Sequence, residues 1–146
     1  MRVRSSVWLL VVALVMGEGA WGVSAPAGAL KRVPRLFVVP SVGLHNKQVV
    51  KVRGINFTPK DTVFVTECLI RATGQNGCDI MIAKPVTISS TGTFGWTKFK
   101  VLTGKVGSGT CGTTKVNLRA CAVSAGNPSG GDSAVAPIVF ALPKKK

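Results

Sequence analysis

With 146 residues, 46% of them apolar and 16% charged, the chain has room for one domain. Nineteen basic residues stand against five acidic ones, a net charge of +14 that draws polyanions such as nucleic acid, acidic glycopolymers or anionic lipid. Four cysteines, one histidine and no Cys-x-x-Cys spacing argue against a zinc site and for two disulfides made in an oxidising compartment.

The chain opens with two arginines in Met1 to Arg4, an apolar run from Val7 to Met16 and the small residues VSAPAGA. That order is the pattern of a secretory signal peptide, expected over residues 1–29 with cleavage after Ala25 or Ala29. The run falls short of the roughly 20 residues that span a bilayer, so export to the extracellular space or cell wall is expected instead of anchoring. What remains keeps 17 basic and 4 acidic residues, a net charge of +13. Residues 30–35 read as a basic flexible segment, 36–142 as one folded domain and 143–146 as a basic tail.

Leu36 to Val39 is a short apolar run stopped by Pro40, which suits a sheet edge because proline lacks an amide donor. His45 to Lys47 turns the chain into the strand Gln48 to Arg53, with Val50 and Val52 inward and a bend at Gly54. Thr62 to Cys68 alternates with period two, as a half-buried central strand must. Val63 and Val65 fall on one side of it, Phe64 and Cys68 on the other, and Glu67 is expected to point to solvent or to pair with a cross-strand cation, with a place lining a cleft as the alternative. Cys68 then reaches Cys78 over Gly74, Asn76 and Gly77, residues that turn easily.

Asp79 to Ala83 and Val86 to Ser89 read as short extended pieces, Gly104 to Gly112 as loop. Thr93 to Val101 puts Phe94 and Trp96 on one face but Phe99 and Val101 on the other, a crossover that calls for a bulge at Gly95 or Thr97. Lys115 to Val123 alternates as a strand with Val116, Leu118 and Ala120 inward, and Ala134 to Leu142 forms the last strand. Four cysteines allow three pairings. Cys68–Cys78 and Cys111–Cys121 are favoured because each pair brackets a short turn-rich segment, and each closure would stabilise by about 3 kcal/mol.

No window carries a helical period, so the fold expected is all-β: a seven-stranded antiparallel Greek-key sandwich of immunoglobulin type. Catalytic and metal-binding residues are not expected. His45 sits in a turn without a carboxylate or thiol beside it, and the serines lack a nucleophile elbow. Asn56-Phe57-Thr58 spells a glycosylation acceptor, which bacterial-type export leaves unmodified.

Several segments together resemble the neocarzinostatin family, secreted apoproteins that carry an enediyne chromophore. They are PSVGLHNKQVVKVRG at Pro40 to Gly54, the strand ending in Cys68 with nine residues to Cys78, TGTFG at Thr91 to Gly95, and SAGNPSGG from Ser124. The resemblance covers nearly all of the domain. It implies a sandwich with a small disulfide-closed ribbon and a cleft between them, a non-covalent small apolar ligand, no cofactor, no metal and a monomer. The cleft residues implied are Ile70, Ala83, Arg119, Gly126 and Asn127, with Trp96 on the opposite wall. Ile70 and Ala83 stand where the family carries aromatic side chains, and Arg119 where it carries a small polar one. Family members are acidic and this chain is basic, so DNA or an anionic cell-envelope polymer is the alternative partner.

Overall fold

The computed structural model describes residues 32–72 and 74–142; the expected signal peptide and basic tail lie outside them. Nine strands follow in chain order among the described residues: β1 (Arg35–Val39), β2 (Val49–Ile55), β3 (Thr62–Leu69), β4 (Lys84–Thr87), β5 (Phe94–Lys100), β6 (Gly104–Val106), β7 (Gly109–Cys111), β8 (Cys121–Gly126) and β9 (Ser133–Pro137). β1 takes in Arg35, the last residue of the expected flexible segment.

Two antiparallel sheets form, one ordered β1-β2-β5 and the other β4-β3-β8-β9, with β6 and β7 paired as a separate ribbon. The chain changes sheet between β2 and β3 and again between β4 and β5, as a Greek-key sandwich requires. Period-two alternation decides what each strand buries. Leu36, Val38, Val50, Val52, Phe94 and Phe99 from the first sheet meet Val63, Val65, Val123, Ala125 and Ala134 from the second in one core. Burying one such valine or phenylalanine stabilises by about 1.5–3 kcal/mol, so these facing rows hold the layers together.

The crossover expected in β5 is a bulge. Val52 pairs with Thr97 and Gly54 with Phe94, so β5 carries one extra residue over that stretch, between Phe94 and Thr97. The insertion lets Phe94 and Phe99 both face the core despite their odd spacing. Gly54 is required opposite, since a Cβ there would lie 2.2 Å from Phe94 Cε1 and 2.5 Å from Phe57 Cε2.

Four local expectations are corrected. Residues 112–120 form no strand, and Val116 is 94% exposed. Asn117 accepts the amides of Thr113 and Thr114 on Oδ1 and donates from Nδ2 to Thr110 and Thr113. These local bonds satisfy the backbone that a ladder would otherwise use, so the apparent alternation of Lys115 to Ala120 is not expressed. Gly104 to Gly112 is largely the β6–β7 hairpin instead of loop, turning at Gly107 with φ 52°. Asp79 to Ala83 holds a 3₁₀ turn over Ile80–Ile82, because the Asp79 carboxylate accepts the Met81 amide and caps it. The last strand ends at Pro137, although Phe140 makes a parallel bridge with Leu44.

Both expected disulfides are present, Cys68–Cys78 and Cys111–Cys121. The first anchors the loop after β3 back onto β3 itself. The second ties the end of the ribbon to the start of β8.

Candidate functional site

Strand register places three rows of side chains on the outer face of the four-stranded sheet, away from the core. Phe64, Gly126 and Ser133 make one row, Thr66, Ser124 and Val135 the next, and Cys68, Ala122 and Pro137 the third. Directly opposed residues of antiparallel strands share a face, so the first two rows form one continuous surface, while Cys68 and Ala122 of the third are buried. This surface carries no charge. Phe64 is 37% exposed and Val135 52%, large apolar side chains left in solvent on either side of the small Ser124 and Gly126.

The Cys68–Cys78 bridge closes the third-row end of this face. There Ile70, 43% exposed, donates its amide to Ala120 O at 2.9 Å, and Arg119 precedes Ala120 in the adjoining loop. Ala83 precedes β4 on the far side of β3, where Thr66 Oγ1 donates to Asp79 O. Gly126 and Asn127 lie at the opposite end of β8, about 17 Å from Cys121 by strand rise. Asn127 is occupied by the turn: its amide donates to Asp132 O, its Nδ2 to Asp61 and its Oδ1 accepts from Ser129. Trp96 is not part of this face. It stands on β5 in the other sheet, beside Arg53, and with Val86 to Ser89 it borders a shallow groove of about 420 Å³ between β4 and β5.

Phe64, Thr66, Ser124 and Val135 were not among the residues expected at a site. Phe64 and Thr66 carry a signal in the sequence, since counting back by twos from Cys68 reaches both. Ser124 and Val135 carry none, because their place depends on which strand pairs with which.

Glu67 overturns its expectation most sharply. It is wholly buried, facing the same way as Val63 and Val65. Oε2 accepts the Leu102 amide at 2.8 Å, while Oε1 has no hydrogen-bond partner among the described residues. A carboxylate oxygen of Glu67 lies within 4.8 Å of the Cys111 and Cys121 sulfurs. Those sulfurs are spent in their disulfide, so they offer the carboxylate no thiolate partner for a metal. Burial raises the Glu67 pKa to about 7; the Leu102 hydrogen bond lowers it and the nearby Asp79 charge raises it further.

The other three carboxylates of the described domain also serve amide donors. Asp61 accepts from Thr62 N and Asn127, Asp79 from Met81 N, and Asp132 from Thr58 N. His45 sits exposed in its turn, its backbone amide donating to Gln48 Oε1. Among the described residues no helix is long and apolar enough to cross a membrane.

The model of the neocarzinostatin family matches residues 36–140. The chain is a member of the neocarzinostatin family. Among solved structures it is similar to macromomycin, with 30% sequence identity and a TM-score of 0.58, over 75% of this chain and all of that one. Apokedarcidin in its solution structure is 24% identical with a TM-score of 0.51, over 75% of this chain and 99% of that one, a likeness of fold. A search of curated protein sequences gave no match. Neocarzinostatin-family apoproteins hold a chromophore non-covalently and bind it as carriers. The sandwich, the antiparallel sheets and both disulfides of this chain agree with that membership.

Proposed function

We propose that the protein is a secreted, non-enzymatic carrier that holds a small, flat, apolar ligand against the outer face of its four-stranded sheet. One observation supports this above others: a charge-free surface with Phe64 and Val135 exposed, in a domain that is otherwise strongly basic. An apolar ligand gains from leaving water over such a face, and stacking on Phe64 adds about 0.5–1.5 kcal/mol. Thr66 and Ser124 between them supply hydroxyls to orient it. Ile70 and Arg119 rim the disulfide end, where the guanidinium suits a polar or anionic edge of the ligand. Ala83 rims the β4 side, and Gly126 and Asn127 shape the far end. Antibacterial or DNA-directed action would belong to the ligand, so the chain without it does not cut DNA.

Native mass spectrometry of the protein purified from the organism that makes it tests the reading. A retained non-peptide mass is expected, lost from a Ser124→Trp variant whose indole fills the face. A bare chain from the producer, or a mass retained equally by that variant, overturns it.

A further inference from the structure

The basic residues look scattered along the sequence, yet folding collects five of them on one surface. β1, β2 and β5 read RLFVV, VVKVRGI and FGWTKFK and contain no acidic residue. Their outward positions carry Arg35, Lys51, Arg53, Lys98 and Lys100, with Lys51 directly opposite Lys98 and Val49 opposite Lys100. The four carboxylates of the described domain hydrogen-bond to amides elsewhere, and none of those bonds involves these five cations.

Two aromatic rings stand among the cations. Phe37 is opposite Arg53, whose guanidinium carbon lies 4.8 Å from the Phe37 ring centroid and 5.1 Å from that of Trp96. Arg53 therefore joins the two rings into one row across the three strands, and Trp96 remains 51% exposed. Three strands give a platform roughly 10 Å across, the width of a single polymer strand.

We propose that this face binds single-stranded nucleic acid, with bases stacked on the Phe37–Arg53–Trp96 row and phosphates against Lys51, Lys98 and Lys100. Cations alone would attract any polyanion. Aromatic rings on an open sheet favour a ligand with free π faces, which a duplex keeps stacked inside itself and an acidic glycopolymer lacks. The site is on the opposite sheet from the carrier face and does not depend on it.

Of the three tryptophans in the sequence, Trp8 and Trp21 fall within residues 1–29, so the exported domain keeps Trp96 as its sole indole. Titrating that domain with a 16-nucleotide oligo(dT) should quench its fluorescence. With three phosphates neutralised, affinity should fall about 20-fold between 50 and 200 mM salt. K51E/K98E should weaken binding more than tenfold, and K105E/K115E, the same charge change away from this sheet, less than threefold. W96A should lose about fivefold or more, with most of the affinity restored in W96F. Lack of quenching, equal losses from the two charge pairs, or tighter binding of a 16-base-pair duplex or of heparin would overturn the proposal.

Discussion

Replacing Glu67 by glutamine removes a buried charge while keeping its shape, and the size of the effect follows from the raised pKa of about 7. In the unfolded chain a glutamate titrates near 4.3, so between roughly pH 4.5 and 7 the folded protein binds more protons than the unfolded one. Stability associated with this group is therefore fully present below about pH 4, falls across that window, and has been lost once pH has risen through 7. The difference amounts to about 3 kcal/mol above pH 7.5. The E67Q variant escapes that loss. Its side-chain NH₂ would face the disulfide sulfurs much as the hydroxyl of the protonated acid does, so near pH 4.5 the two proteins should be about equally stable. Above pH 7.5 the variant should melt roughly 12 °C higher for a domain of this size. Thermal unfolding of both proteins from pH 4 to 9, without reductant, measures this directly. A difference that does not change with pH, or a variant less stable than its parent at pH 8, would refute the reasoning.

Gly54→Ala should lower the urea midpoint by an amount equivalent to about 1–3 kcal/mol, because its methyl would overlap Phe94 and Phe57. Gly95→Ala, with nothing within 4 Å of the added carbon, is the matched control and should shift it little. Asn117→Ala should destabilise by about 1–2 kcal/mol and speed proteolytic cleavage between residues 112 and 120, since it strips the loop of its hydrogen bonds. Replacing Cys68 and Cys78 together by serine should cost about 3 kcal/mol in denaturant titrations, the closure entropy of so short a loop.

Local periodicity made much of the fold legible. The alternation in β2 and β3, the disulfide pairing and the need for a bulge in β5 all follow from the order of residues. Glu67 shows where pattern and chemistry disagreed. The period running through Val63 and Val65 points inward at position 67, but a lone carboxylate there argues for solvent. The packing of β3 prevailed, and the raised pKa records the conflict. Residues 112–120 show the converse, an alternating string that the side-chain bonds of Asn117 hold out of any sheet. Surfaces were the least legible. Lys51 and Arg53, or Lys98 and Lys100, can be placed on one side of their own strands by counting twos. That β2 lies against β5, with β3 and β4 intervening in the chain, is a non-local fact that no count reveals. The charge-free face is hidden for the same reason, since it assembles from β3, β8 and β9.

Lys51 and Lys98 confront each other across β2 and β5, and like charges so placed oppose the pairing by up to about 1 kcal/mol. The ladder of that sheet is thus assembled against its own electrostatic repulsion. Any anion that settles between the two ammonium groups relieves it, and by mass action whatever favours the folded form raises its melting temperature. Ionic strength is therefore an ingredient of this fold as well as a condition of the assay.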